Sequence, residues 1–143
     1  MINEKIKVFL VDDDALFLKS LEIDFLHHSD FSVETFATGE SCIKQLFNIP
    51  NVIILDYHLD SINKNAMNGI ETLDKIKSIN PEIPVIMLSS QDKIDVAISC
   101  MHHHAFDYVV KSETAFLRLQ KNITAFFHYE KIEKELSWYM ARM

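Results

Sequence analysis

The chain has 143 residues, 48% of them apolar and 24% charged, which suits one domain with a sizeable core. Acidic residues outnumber basic ones 21 to 14, and the net charge of −7 argues against electrostatic binding of nucleic acid, which needs clustered Lys and Arg. No apolar run reaches the ~18–20 residues needed to cross a bilayer, the opening MINEKIKVFLV lacks a signal peptide's order, and Cys42 and Cys100 show neither CxxC nor zinc spacing, so a reduced, cytoplasmic setting is expected.

In chain order, short apolar runs alternate with longer amphipathic stretches. Ile6–Val11, Phe31–Phe36, Val52–Leu55, Val85–Leu88 and Tyr108–Val110 read as strands, several without polar alternation, as strands covered on both faces do. Between them, Leu18, Leu21 and Phe25 share a helical face, as do Ile43, Leu46 and Phe47. Ile70, Leu73 and Ile76 form a third stripe, Ile94, Ala97, Ile98 and Met101 a fourth, and Phe116, Leu119 and Ile123 a fifth. Gly39 opens the second helical region, Pro50 precedes the third strand, and Asn80–Pro84 ends the third helix. Five βα units with short links predict a doubly wound five-stranded parallel sheet, a three-layer α/β/α fold.

In such folds the crevice lies beyond the carboxyl ends of the strands, where the strand order reverses. Asp12 and Asp13 follow the first strand, Asp56 the third, Ser89 the fourth and Lys111 the fifth. Mg²⁺ takes oxygen ligands and usually keeps several waters. Asp13 and Asp56 could ligate it directly, Asp12 through a water, and the backbone carbonyl of His58 could add a further oxygen. Clustered carboxylates raise one another's pKa unless a cation intervenes, and Lys111 and a metal would supply that cation. Asp56 is then a candidate nucleophile able to form an acyl phosphate. Metal, Lys111 ammonium and Ser89 hydroxyl could each stabilise one oxygen of the transferring group.

Val11–Phe17 (VDDDALF), Ile54–Leu59 (ILDYHL), Val85–Ser90 (VIMLSS) and Tyr108–Ser112 (YVVKS) resemble, in order and spacing, the signature blocks of response-regulator receiver domains. The resemblance spans about Lys5 to residue 127, with residues 1–127 as the domain and 128–143 as a helical extension. It implies a flavodoxin-like (βα)5 fold, Asp56 as phosphoacceptor and Mg²⁺ as cofactor. It implies a sensor histidine kinase or histidine phosphotransfer protein as donor. It further implies a switch in which Ser89 moves toward the phosphoryl group and Tyr108 changes rotamer. That movement would remodel the surface of the fourth helix, fifth strand and fifth helix.

Three features depart from the family pattern. Ser112 stands where proline commonly follows the lysine, so a trans Lys111–Ser112 bond or a strained cis one is expected. The loop after Asp56 is long and polar, with Asp60 in place of a usual proline and Gly69 arriving late. A mobile loop that covers the site or meets a partner is expected there. His58 and Gln91 hold the variable flanking positions that, in the family, influence phosphoryl lifetime.

Other readings fit less well. Asp14 alone suits a plain helix N-cap. His102, His103 and His104 are consecutive and would point apart on a helix, which speaks against a shared metal. His27 and His28 suit a helix C-terminus. A binding module without phosphotransfer would lack one of Asp13, Asp56 or Lys111. A flavin-binding fold would want a Gly/Ser/Thr loop after the first strand, and a dehalogenase-type phosphatase an acid where His58 stands. The chain is therefore expected to be a phosphoacceptor and not a turnover enzyme. From His128 on, Ile132, Leu136 and Tyr139 or Met140 form an offset stripe, suited to an extended last helix, a dimer contact or a link to an output segment. The fourth helix, fifth strand and fifth helix are the other surface through which a homodimer could form.

Overall fold

The computed structural model describes residues 5–143; the first four residues of the opening stretch lie outside the described residues. Five strands, β1 (Ile6–Val11), β2 (Phe31–Phe36), β3 (Val52–Asp56), β4 (Val85–Ser89) and β5 (Asp107–Val110), alternate with helices α1 (Ala15–Leu26), α2 (Gly39–Lys44), α3 (Gly69–Ile79), α4 (Ile94–His102) and α5 (Ala115–Arg142). All neighbouring strands pair in parallel, in the order β2-β1-β3-β4-β5. This is the doubly wound sheet expected from the alternation.

The pleat sorts the core into two layers, because successive side chains of a strand point to opposite faces. Phe9, Val11, Ile53, Leu55, Val85 and Met87 face Cys42 of α2, Leu73 and Ile76 of α3, and Cys100 of α4. Val8, Leu10, Val52, Ile54, Ile86 and Leu88 face Leu21 and Phe25 of α1 and Leu119 and Ile123 of α5. β3 is buried at all five positions, so its near-continuous apolar run follows from being covered on both sides.

Two helical faces differ from expectation. In α4 the residues turned inward are Cys100 and, partly, Val96, whereas Ile94, Ile98 and Met101 are exposed. Apolar residues lie nearly all round this helix, so periodicity alone selects no face. Phe47 is likewise exposed, because α2 stops at Lys44 and a short 3₁₀ turn, Leu46–Asn48, turns only Leu46 inward.

Local punctuation is as the residue types dictate. Asp14 caps α1, its side chain accepting from the amides of Leu16 and Phe17. His27 closes the same helix. Asn68 and Glu71 form a reciprocal capping box at α3. No peptide bond among the described residues is cis, so Lys111–Ser112 is trans. α5 is one helix of 28 residues that runs well past the last buried position, Ile123.

Candidate functional site at the carboxyl edge of the sheet

The strand order reverses between β1 and the central strand β3. β1 ends at Val11, and the amide of Asp12 donates to the Phe36 carbonyl at 3.0 Å, carrying the chain straight out of the sheet. β3 ends on Asp56, whose register partner is Leu88, and the Tyr57 amide donates to the Leu88 carbonyl at 2.7 Å. The Lys111 amide donates to the Ser89 carbonyl at 2.7 Å, fixing the residue that leaves β5 beside the end of β4. Backbone pairing of an apolar sheet thus delivers the polar groups to one edge.

Asp12, Asp13 and Asp56 each offer an oxygen within 4.8 Å of the other two. Asp12 and Asp56 are 2% exposed, so two carboxylates share a poorly solvated space. Lys111 Nζ answers them, 2.8 Å from Asp12 Oδ2 and 3.4 Å from Asp56 Oδ1, while lying 4.7 Å from the centre of the Phe17 ring. Among the described residues, the Lys111 ammonium is the one cationic group that pairs with these carboxylates.

These surroundings set the protonation states. Burial and then the charge of Asp12 push Asp56 from about 3.8 up to about 7, against the opposing pull of Lys111 and the His58 amide. Burial alone would lower Lys111, but its hydrogen bond to Asp12 and the charges of Asp56 and Asp12 prevail and hold the ammonium above its ordinary value. One ammonium is too little cation for three carboxylates. The donor set is all oxygen, with three carboxylates gathered within 4.8 Å of one another, so the residues fit a hard divalent cation such as Mg²⁺.

The remaining expected residues have separate places. Ser89 is fully buried, and its Oγ accepts from the Gln91 amide at 3.0 Å. Ser90, not Ser89, lines the open pocket of about 520 Å³ with Asp13, Asp56, His58, Ser61, Ile62 and Lys111. Tyr108 is half-buried against the core, its hydroxyl donating to the Gln91 carbonyl. Ser89 and Tyr108 are therefore joined through the backbone of one residue. The His58 carbonyl accepts from Ser61 Oγ at 3.2 Å, and the His58 amide donates to Asp56 Oδ1 at 3.3 Å. His103 lies apart, its Nδ1 2.7 Å from Asp74 Oδ1.

The long loop between β3 and α3 does reach the pocket. Leu59 is buried in the core, and the amides of Ser61 and Ile62 donate to Asp13 Oδ2 at 3.1 and 3.3 Å. Farther on, the Met67 amide donates to Glu40 Oε2 at 2.9 Å. The loop closes where Gly69 presses on the strand end, since a Cβ there would lie 2.5 Å from the Asp56 carbonyl oxygen. Sequence reasoning missed Ser61 and Ile62, because backbone amides leave no mark in residue type.

A response regulator receiver domain is matched over residues 8–123. Among curated relatives, the chain is 38% identical over 119 residues to a protein-glutamate methylesterase/protein-glutamine glutaminase of Clostridium acetobutylicum, covering 79% of this chain and 32% of that protein. It is 36% identical over 111 residues to the same kind of protein from Bacillus licheniformis, covering 74% of this chain and 29% of that one. The chain thus spans about a third of the length of these relatives. The fold is similar to a CheY-like receiver domain from Methanospirillum hungatei, with a TM-score of 0.77 at 21% identity, covering 91% of this chain and 99% of that one. It is also similar to a structure of the CheX–CheY–BeF3–Mg²⁺ complex from Borrelia burgdorferi, with a TM-score of 0.74 at 23% identity, covering 87% and 90%. With four motif blocks on four strand ends and a family match over most of its length, the chain belongs to the response regulator receiver domain family.

Proposed function

We propose that the chain takes a phosphoryl group from a phosphohistidine donor onto Asp56 and reports that state through its α4–β5–α5 surface. The observation that carries this reading is the placement of Asp56 at the end of β3, between a carboxylate pair and the Lys111 ammonium. An Asp56 oxygen attacks phosphorus, forming the P–O bond as the P–N bond to the donor imidazole breaks. Lys111, already paired to Asp12 and Asp56, moves onto the phosphoryl oxygens as their charge develops. Asp12, Asp13, Asp56 and the His58 carbonyl would hold Mg²⁺, which when bound neutralises charge on the carboxylates and on the phosphoryl group. The donor would be a sensor histidine kinase or a histidine phosphotransfer protein, which implies a cytoplasmic setting.

The hydrogen bonds also support a switch. When Ser89 Oγ turns toward a phosphoryl oxygen, it leaves the Gln91 amide, and the same residue's carbonyl holds Tyr108. Release of Tyr108 would then change the surface beside α4, where Ile94, Ile98 and Met101 stand exposed. Incubation with acetyl phosphate and Mg²⁺ followed by intact-mass measurement tests the acceptor reading. The expected result is a gain of one phosphoryl group that Asp56→Asn abolishes; no gain, or an equal gain in the variant, would overturn it.

A second proposal concerns the C-terminal helix as a contact with a second copy. Beyond the core, Tyr129, Ile132, Leu136, Tyr139 and Met143 are all exposed and follow one another in alternating three- and four-residue steps. That spacing is the seam of a coiled coil. The stripe leaves the phosphoacceptor pocket free, because α5 runs back toward the opposite edge of the sheet. There its residues Glu130, Glu133 and Ser137 border a groove with Pro50, Asn51 and Pro84, which precede β3 and β4.

A further inference from the structure

One residue touches two of the groups expected at the cation, the Asp13 carboxylate and the His58 carbonyl. The Ser61 amide donates to Asp13 Oδ2 at 3.1 Å, while the Ser61 hydroxyl donates to the His58 carbonyl at 3.2 Å. Ile62 adds a second amide to the same Asp13 oxygen at 3.3 Å. Asp13 Oδ1 is left without a hydrogen bond among the described residues.

The turn that presents Ser61 is built into the fold. Its start is fixed by Asp56 at the end of β3 and by the His58 amide on Asp56 Oδ1. Leu59, 1% exposed, is plugged into the same core layer as Leu55 and Leu73. Two residues after such an anchor, Ser61 has little freedom to leave the rim of the pocket.

We propose that Ser61 is a positioning residue for the cation site: it braces the Asp13 carboxylate against the His58 carbonyl so that one Mg²⁺ can be shared by both. This rests on the reading of Asp12, Asp13 and Asp56 as the cation site. A carbonyl oxygen has two lone pairs, so the Ser61 hydroxyl on one leaves the other for a metal. Asp13 Oδ2 already takes two amides, so its Oδ1 is the oxygen turned to the metal. Outer partners of this kind fix ligand orientation, and removing one typically weakens metal binding about 10–100-fold. Ser61 is exposed, so water competes for its bonds and a smaller effect is expected.

The test measures Mg²⁺ affinity on the intact chain, by displacement of Mn²⁺ followed by electron paramagnetic resonance. Ser61→Ala, which keeps the amide and loses the hydroxyl, is expected to bind about 3- to 10-fold more weakly, on the scale of one hydrogen bond. Ser61→Thr is expected to restore wild-type affinity within about twofold, and thermal unfolding of both variants in EDTA should match wild type. Affinity of Ser61→Ala equal to or tighter than wild type, or no rescue by threonine, overturns the role of Ser61 alone. Absence of Mn²⁺ and Mg²⁺ binding by the wild-type chain overturns the cation site, and this inference with it.

Discussion

At the carboxyl edge of the sheet, Asp12 and Asp56 are buried where solvation would favour neutral groups. On the outer faces of α4 and the end of α5, Ile94, Ile98, Leu136 and Tyr139 stand in water where burial would favour them. Folding stability explains neither region, and the two depart from it in opposite directions. At the sheet edge, low solvation strengthens charge and raises the Asp56 pKa, and a cation is needed to balance it. On the helices, apolar area is left for another surface to cover. In our reading the edge receives the phosphoryl group and the helical faces report it.

The comparison can be broken first at Lys111. If the edge works by fixed positive charge, Lys111→Met should slow phosphorylation by acetyl phosphate about 100-fold, the scale of losing one preorganised charge partner. Initial rates of mass gain measure this, and a rate within threefold of wild type would contradict the role given to Lys111.

The cost of the buried carboxylates can be read from pH. Asp56 holds its proton more tightly in the fold than in the unfolded chain, so its contribution to stability is full below about pH 4 and is lost as pH rises through about 7. Asp56→Asn removes that loss. In EDTA the variant should be more stable than wild type by roughly 1–3 kcal/mol at pH 8, a gain that shrinks toward pH 4. Urea unfolding at the two pH values decides it, and a gain that grows as pH falls would be contrary.

At the other region the expected effect on the fold is smallest. Leu136→Glu lies on exposed helix, so monomer stability should change by no more than about 0.5 kcal/mol. Light scattering across a concentration series should nonetheless show wild-type mass rising toward twice 16.6 kDa, while the variant stays at one chain. Equal masses for the two chains would remove the helix as a dimer contact.

How far the sequence was legible follows the same division. Buried strands such as Val52–Leu55 announce themselves, because a strand covered on both faces must be apolar throughout. The cluster of Asp12, Asp13, Asp56 and Lys111 was legible through the strands, since these residues come at strand ends and the parallel topology gathers those ends, whereas Ser89, also at a strand end, stays buried outside the pocket. The inward face of α4 was not, because Val96 and Cys100 compete there with Ile94, Ile98 and Met101 and only the packing chooses between them. Ser61 and Ile62 were hidden for another reason. Their tie to Asp13 is made by backbone amides, which every residue but proline carries.

The most direct test of the account locates the phosphoryl group itself. The chain would be phosphorylated with acetyl phosphate and Mg²⁺, reduced at once with borohydride, which converts an aspartyl phosphate to homoserine, and mapped by peptide mass. The account predicts a single conversion at position 56, absent without Mg²⁺. Conversion at Asp12, Asp13 or another carboxylate with position 56 untouched would contradict it.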